Sequence, residues 1–294
     1  MDAPIHPGPR TLDLLALQPQ HRSEYIWDGQ LLTQTFRARR VDLLWEFLSP
    51  PHVLHPHVVH YLEEIGLYWI ISIGWIQLDY ALMTALIERW RPETHTFHLP
   101  IGEATITLQD AEILYGLSAD GLPVLLSAAM RYYSRQAYWD MLHMLMGFMP
   151  AGEEVAFGAS PIYEAAVAPS IWGGLVPEHF GEPTEPPFSA SYYPVRGYSW
   201  GGAVISYLYR QMCRVCIGTQ RDVCGFLPLL QIWVWERILQ FRPPLPQLPT
   251  NVEIPHLPLA HRWVMRRRLA REYDAHHNLP LCRDVLDLLE DAQR

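Results

Sequence analysis

Residues 88–110 of the chain read ERWRPETHTFHLPIGEATITLQD, and this stretch decides the predicted fold. Residues 94–107 are rich in residue types that favour β-strands, and apolar and polar side chains alternate in their second half. Pro100 and Gly102 fit the second and fourth positions of a type I turn that begins at Leu99. The stretch therefore predicts one small β-hairpin over about residues 94–107.

The segments on both sides of this hairpin predict helices. Residues 76–90 carry apolar side chains at helical spacing, and Pro92 ends the pattern. After the hairpin, Thr107 is a predicted helix N-cap with Asp110 three residues later, as in a capping box, and Gly116 is the predicted terminator. The hairpin and the helix that follows it are therefore expected to form one compact unit.

Helical spacing recurs along most of the remaining chain, so the predicted fold class is mainly α: an irregular helical bundle with one small β-hairpin. Further helices are predicted at residues 41–48, shortly after Pro56, and at residues 130–149, 200–217 (capped by Ser199), 229–241, 259–277 and 281–292. The Trp-rich stretch 232–238 is interpreted as core.

The domain organisation follows from the same patterns. We expect residues 1–24 to be a Pro-rich lead-in and residues 25–294 to form a single helical domain. Within it, residues 150–198 contain Gly and Pro throughout and show no sustained period, which predicts an irregular loop segment.

Composition excludes several classes of function. All 22 basic residues are Arg, so the chain has no lysine to form a Schiff base with pyridoxal phosphate or to bind nucleotide phosphates in a Walker A loop. The net charge of −9 argues against general binding to duplex DNA. The chain therefore cannot use lysine-based pyridoxal chemistry or a Walker A site. We expect a protein that is not an enzyme and that uses no cofactor.

The chain also shows no pattern of a secreted or membrane protein. Residues 1–20 lack a basic region followed by an apolar run, and the apolar run at 67–76 is short and interrupted by Ser72 and Gly74. We expect a soluble, intracellular protein without contact to a membrane.

Two groups of residues consist of side chains that commonly bind metal ions. Cys213 and Cys216 have the C-x-x-C spacing, but they fall inside a predicted helix and lack a second pair nearby. The four histidines between residues 52 and 60 are interrupted by proline, so no helix sets their geometry. Buried apolar cysteines and a solvated loop are the preferred interpretations, and we expect no metal.

Several motifs together resemble one protein family. They are Gly66-Leu67-Tyr68, Ile76-Gln77-Leu78-Asp79, the stretch 88–110, Tyr198-Ser199-Trp200-Gly201-Gly202-Ala203, and residues 229–237. Over roughly residues 20–149 and 198–290 the chain is similar to the plant mobile domain, and the length of the stretch 88–110 makes the resemblance specific. The segment 150–198 departs from the helical stretch expected there, and family members usually continue beyond residues 286–289, which is consistent with a shortened gene model.

The resemblance implies a domain found in plant transposable elements and in host nuclear proteins linked to transposon silencing, genome stability and meristem maintenance. It also implies a protein partner in the nucleus, such as a phosphatase-7-like protein. The family is often labelled aminotransferase-like, but a chain without lysine cannot carry out that chemistry. The resemblance assigns no chemical role to the residues that carry it, which are Gln77, Asp79, Arg89, Trp90, Arg91, Thr96, Phe97, His98, Gly102, Glu103, Thr107, Asp110, Trp200 and Gly201.

A basic patch on the predicted helix 259–277 supports an alternative function. The patch consists of Arg262, Arg266, Arg267, Arg268 and Arg271. It fits nucleic-acid binding, nuclear import or an ordinary solvated surface.

A metal-dependent nuclease of the transposase type is the third hypothesis. Asp79, Asp110 and either Glu112 or Asp120 are its conceivable metal ligands. That chemistry normally uses a central sheet, whereas this chain predicts one hairpin, and Asp110 is better explained as a helix cap.

Overall fold

The computed structural model describes residues 14–38, 54, 56–64, 66–74, 76–124, 197–244, 257–264 and 278–290. The α-helices in these ranges are α1 (Arg22–Trp27), α2 (Pro56–Glu64), α3 (Tyr68–Ile73), α4 (Tyr80–Ile87), α5 (Leu108–Tyr115), α6 (Trp200–Val215), α7 (Leu227–Arg237), α8 (His261–Val264) and α9 (Leu279–Asp287). Short 3-10 helices cover Gln18–Gln20 and Leu239–Phe241. The fold is mainly α, which confirms the predicted class.

The strands of the described residues are short. They are β1 (Arg37–Ala38), β2 (Trp90–Arg91), β3 (Thr96–Leu99), β4 (Gly102–Ala104), β5 (Leu122–Pro123), β6 (Tyr198–Ser199) and β7 (Asp222–Val223). β2, β3 and β4 form an antiparallel sheet in this order, in which Phe97 pairs with Trp90 and with Ala104. β1 pairs with β7, and β5 with β6, both in parallel. The predicted hairpin is confirmed as β3 and β4, and β2 adds a third strand to it.

Two helices that are buried on all sides occupy the centre of the core. Residues 81–87 of α4 are all buried, and so are residues 229–235 of α7, which confirms the Trp-rich stretch as core. Helices that are apolar all round pack in the interior. Around them, α6 and α9 each bury one stripe, formed by residues such as Val204, Leu208 and Met212 in α6 and by Leu279, Cys282 and Leu286 in α9. α9 packs along α4, and α5 packs against both α6 and α7.

Local side-chain chemistry sets the helix ends. The Thr107 side chain accepts from the backbone N of Asp110 and the Asp110 carboxylate accepts from the backbone N of Thr107, which confirms the predicted capping box. Gly116 follows α5 in the left-handed conformation at φ 67°, as its role of terminator requires. Ser199 caps α6 by accepting from the backbone N of Gly202, also as predicted.

The structure corrects the predicted bounds of the helix 76–90, which begins only at Tyr80 and ends at Ile87. Asp79 has extended backbone and caps the helix, so residues 76–79 lie outside it. At the other end, Trp90 and Arg91 leave the helical path to pair with β3. α6 ends two residues before the predicted Ile217, which forms a bridge with His21 instead.

Some predicted elements lie outside the described residues. They are the helices at 41–48 and 130–149, the part of the helix 259–277 after Val264, the loop segment up to residue 196, and the first thirteen residues of the lead-in. Among the helices that the structure does describe, none combines the length and the apolar character that crossing a bilayer requires.

Candidate functional site

Trp90 is the centre of the buried face of the β2–β3–β4 sheet. Its side chain is completely buried, and its ring lies against Phe97 and Tyr209, with centroids 4.9 Å and 4.7 Å away. The indole Nε1–H donates to the Sγ of Cys213 at 3.2 Å. Trp90 and Phe97, both residues of the family motif, therefore join the sheet to α6 by packing.

His21 attaches the N-terminal segment to the same strand. Its Nε2 lies 2.8 Å from the carbonyl O of Trp90, and its Nδ1 lies 3.1 Å from the backbone N of Ser23. Since the carbonyl can only accept and the amide can only donate, the ring proton sits on Nε2. Burial, followed by the positive charge of Arg91, lowers the pKa of His21 to about 3. His21 is therefore a neutral structural link, and sequence reasoning missed it because its partner lies 69 positions further along the chain.

Arg91 strengthens this attachment. The side chain is nearly fully buried, and its Nη1 donates to the Oε1 of Gln18 at 2.7 Å and to the Oγ of Ser23 at 3.4 Å. A buried guanidinium requires such partners, since its desolvation is costly. Arg91 thus belongs to the interior of the domain.

Gln77 and Asp79 are held by a single buried amide. The Oε1 of Gln231 accepts from the backbone N of Asp79 at 2.7 Å, and its Nε2 donates to the backbone O of Gln77 at 2.8 Å. Gln231 is completely buried in α7. The Asp79 carboxylate accepts from the backbone N of Leu82 at 2.9 Å, as a helix cap. The motif 76–79 therefore docks the start of α4 onto α7.

Both carboxylate oxygens of Asp110 accept hydrogen bonds. One carboxylate oxygen accepts from the backbone N and the Oγ1 of Thr107, each at 2.9 Å, and the other accepts from Arg237 of α7. Burial acts to raise the pKa of Asp110, but the Thr107 and Arg237 bonds outweigh it, so the pKa lies below its usual value. Thr107 and Asp110 together anchor the start of α5 to the end of α7.

These bonds bear directly on the nuclease hypothesis. Asp79 and Asp110 cap two different helices, and Glu112 and Asp120 are exposed. Within the described ranges, no group of three or more His, Cys, Asp or Glu side chains is arranged to hold a metal ion. The structure therefore gives the two aspartates structural roles and does not assemble the proposed metal ligands.

The polar motif residues of the hairpin lie together on the outer side of the sheet. Thr96 donates to the Oε2 of Glu103 at 2.8 Å, and the Nε2 of His98 lies 3.6 Å from the Oε1 of Glu103. Thr94 reaches Thr96 at 2.6 Å and His98 at 3.3 Å. We call Thr94, Thr96, His98 and Glu103 the outer hairpin face. Partial burial lowers the pKa of His98 despite the nearby carboxylate, so Glu103 supplies the charge of this face at neutral pH.

Three further motif residues have structural roles in backbone conformation or packing, namely Gly102, Trp200 and Gly201. Gly102 is the first residue of β4 and has φ 118°, a conformation that favours glycine. Trp200 is almost completely buried at the start of α6. A Cβ on Gly201 would lie 3.0 Å from the backbone O of Ser118, so glycine allows α6 to approach the chain after α5.

Arg89 and its neighbour Glu88 belong to a cluster of ion pairs that sequence reasoning missed. Arg89 donates to the backbone O of Ala85 and Arg283 and pairs with Asp287 of α9. The neighbouring Glu88 is buried and accepts from the Nε and Nη2 of Arg283, both at 2.8 Å, while the Nε of Arg22 lies 3.4 Å away. Glu88 thus joins α1, α4 and α9. A single charged residue at the end of an apolar helix gives no signal of this role, because its partners lie 66 and 195 positions away.

The predicted basic patch is described only at its first residue. Arg262 donates through Nε to the Oε1 of Glu236 at 2.8 Å and also pairs with Oε2. The indole N–H of Trp263 donates to the same carboxylate at 2.8 Å. Arg262 is therefore a partner of α7, whereas Arg266, Arg267, Arg268 and Arg271 lie outside the described residues.

Two of the four cysteines are core residues. Cys216 and Cys282 are completely buried, and burial raises the pKa of Cys282 to about 12 and that of Cys216 well above its usual value. Cys213 accepts from Trp90, as described above. Thiols with raised pKa values are poor nucleophiles and poor metal ligands at neutral pH.

Comparison with known proteins gives a consistent result. The sequence model of the plant mobile domain matches residues 66–164 and 190–294, so the unmatched residues 165–189 lie inside the predicted loop segment. The serine/threonine-protein phosphatase 7 long form homolog of Arabidopsis thaliana is 33% identical over an alignment that covers 98% of this chain and 23% of that protein. The protein MAIN-LIKE 2 of the same plant is 29% identical, with 87% of this chain and 40% of that protein covered.

A third relative from Arabidopsis thaliana, the protein MAINTENANCE OF MERISTEMS, is 29% identical, with 79% of this chain and 52% of that protein covered. The chain thus spans between about a quarter and a half of the length of these relatives. No solved structure matches it. Since the family model covers most of the sequence and includes the stretch 88–110 around which the described core is built, the chain belongs to the plant mobile domain family.

Proposed function

We propose that this chain is a non-catalytic protein-interaction domain that acts in the nucleus, in complexes that support transposon silencing and meristem maintenance, either as a host protein or as the product of a transposable element. The family membership supports this role, and so do the names of relatives that refer to meristem maintenance and to a protein phosphatase. A phosphatase-7-like protein is the partner that we expect first.

One observation carries the proposal. Most of the described motif residues are used inside the domain: as caps (Asp79, Asp110), as a buried partner of the N-terminal segment (Arg91) or as core (Trp90). A motif whose side chains are occupied in this way supports a domain that acts through its surface rather than through reacting groups.

The outer hairpin face is the surface that we propose for the partner. Thr96, His98 and Glu103 are motif residues that reach solvent side by side on a sheet whose other face is fixed in the core. A rigid support keeps such polar groups in one geometry, which lowers the entropy that binding costs. The relatives extend well beyond this chain, which is consistent with one module within longer proteins.

The test is affinity purification of the tagged chain from plant nuclei. We compare the unaltered chain with the double variant Thr96→Ala/Glu103→Ala and with the control Glu112→Ala, which removes an exposed carboxylate from α5. We expect the unaltered chain and the control to retain a protein partner, identified by mass spectrometry, that the double variant loses while its circular dichroism stays unchanged.

Two outcomes would contradict the proposal. In the first, the double variant retains every partner of the unaltered chain. In the second, nucleic acid is recovered instead of protein and is lost when Arg266, Arg267 and Arg268 are changed to Ala, which would favour a nucleic-acid-binding domain.

A further inference from the structure

The junction between α2 and α3 forms an open recess, and no hairpin residue is among its described lining residues. Its volume is about 290 Å³, and it is lined by Glu63, Gly66, Tyr68 and Trp69. We call it the aromatic recess. This volume lies near the lower limit of small-molecule sites, so the recess suits a compact chemical group.

The backbone between the two helices creates this space. The N–H of Gly66 donates to the O of Glu63 at 3.1 Å, and the N–H of Leu67 donates to the O of Leu62 at 2.9 Å. Together with φ 73° at Gly66, these bonds form a Schellman motif, which ends α2 and turns the chain sharply. The turn places a carboxylate from the end of α2 and two aromatic rings from the start of α3 around one cavity.

The two rings form walls at an angle to each other. Tyr68 and Trp69 have ring centroids 5.7 Å apart and ring planes inclined by 62°. Behind Trp69, the ring of His261 stands at 84° to it with centroids 6.5 Å apart. A Cβ on Gly116 would lie 2.6 Å from the Cδ1 of Trp69, so the indole is packed directly against the chain there. The Trp69 wall is therefore fixed before any ligand arrives.

Among the described residues that line the recess, Glu63 supplies a negative charge. Glu63 lines the cavity, whereas the adjacent Glu64 lies 3.8 Å from the Nε2 of His60 and forms an i,i+4 pair along α2. The faces of Trp and Tyr rings attract cations, and a carboxylate beside them adds to this attraction. Quaternary ammonium groups suit such sites best, because their methyl groups shield the charge from water and they have no N–H bonds to lose.

From these features we infer that the aromatic recess binds a quaternary ammonium group, carried by a trimethylated lysine side chain or by a small molecule of the choline type. The rings of Tyr68 and Trp69 contact the methyl groups, and Glu63 balances the charge. The inference concerns other residues than the outer hairpin face and does not depend on the partner proposed for that face.

The test is a titration of the isotope-labelled full chain, followed by the NMR signal of the Trp69 indole N–H. The probes are choline and its neutral isostere 3,3-dimethylbutan-1-ol, which has the same shape without the charge. We expect a saturable shift with choline and binding of the isostere that is at least about fivefold weaker, because it lacks the attraction between cation, rings and carboxylate.

Matched variants assign the contact to named groups. Glu63→Gln should weaken choline binding by about three- to tenfold and leave the affinity for the isostere unchanged. Glu64→Gln should change neither affinity. Tyr68→Leu should remove the preference for choline, with circular dichroism confirming that the chain is folded. Peptides with trimethyllysine and with unmodified lysine identify the source of the group: tighter binding of the methylated peptide than of choline favours a peptide, and the reverse favours a small molecule.

Three outcomes would overturn the inference. They are a choline titration without saturation, equal affinity for choline and its isostere, and equal effects of Glu63→Gln and Glu64→Gln. Each would mean that the recess does not select for the positive charge.

Discussion

At the scale of single residues, Glu88 combines deep burial with charge. Its side chain is 3% exposed, and both carboxylate oxygens accept from Arg283, while Arg22, which is fully buried, approaches one of them. The Nη2 of Arg22 also donates to the backbone O of Gln34 at 2.8 Å. Burying these charges is tolerable only because each has partners, so removing one member leaves the others without compensation.

We therefore expect Glu88→Gln to destabilise the domain by about 3 kcal/mol, because the amide keeps the shape but leaves the buried guanidinium of Arg22 without a carboxylate. The measurement is urea unfolding followed by circular dichroism. Asp287→Asn is the matched control, since Asp287 pairs with Arg89 at the same junction of α4 and α9 but its side chain is 65% exposed. That change should cost about 1 kcal/mol or less. Equal losses in the two variants would show that burial does not amplify the Glu88 pairing.

Residue roles that depend on near neighbours could be predicted from sequence. The capping box of Thr107 and Asp110 and the terminator Gly116 each involve partners within one helical turn, so residue type and spacing were sufficient. The Arg237 partner of Asp110 and the Arg283 partner of Glu88 are set by tertiary packing instead. The candidate site was therefore identified as a motif, but its division into core residues and an outer face required the structure.

At the scale of elements, the attachment of α1 to β2 depends on His21. The ring accepts from the N–H of Ser23 as the N-cap of α1 and donates to the carbonyl O of Trp90 in β2. A protonated ring could not accept from Ser23, and burial makes the charged form costly. Protonation of His21 would therefore remove the cap of α1 and place a positive charge in the core, while the Nε2–H could still donate to Trp90.

This link predicts a pH dependence of stability. The pKa of His21 is about 3 in the folded chain and about 6.5 when unfolded, so between these values only the unfolded state binds the proton. The free energy of unfolding should therefore be highest above pH 6.5 and fall as the pH decreases towards 3, with a contribution from His21 of at most about 1.4 kcal/mol per pH unit. The measurement is urea unfolding at pH 7.5, 6.5 and 5.5.

The variant His21→Asn isolates this contribution. Asparagine still caps α1 but does not titrate and is too short to replace the bond to Trp90, so we expect a loss of about 1 kcal/mol at pH 7.5 and a shallower decrease below pH 6.5. Parallel stability curves for the variant and the unaltered chain would mean that His21 does not carry the pH dependence.

Elements with a strong local pattern were predictable, and elements made by distant pairing were not. The hairpin 94–107 and the helix after Ser199 follow from alternation and capping. The spacing of residues 76–90 predicts a helix that includes Trp90, and only the pairing of Trp90 with Phe97 makes it part of strand β2. The parallel pairs β1–β7 and β5–β6 join segments far apart in sequence, and two-residue strands carry no detectable pattern.

At the scale of the whole molecule, α9, the last described helix, contributes to the core and connects separate parts of the chain. α9, whose residues Leu279, Cys282 and Leu286 are buried, packs along α4, whose residues 81–87 are all buried. Arg283 of α9 also donates to the backbone O of Leu32, so α9 holds the segment after α1 as well. A helix with these contacts is part of the core rather than an addition to it.

We therefore expect a chain truncated after residue 277 to lose its cooperative urea transition. Truncation exposes the apolar surface of α4 to water and leaves Glu88 without the two donors of Arg283, and these losses together approach the whole stability of a typical domain. The measurements are urea unfolding, size-exclusion chromatography and the binding of an apolar dye, which should show an expanded or aggregated state with exposed apolar surface. A chain truncated after residue 290 keeps all of α9 and is the control, which should unfold like the full chain. If the shorter chain instead keeps a cooperative transition at nearly the same urea concentration, α9 is dispensable and the core consists of the segments before it.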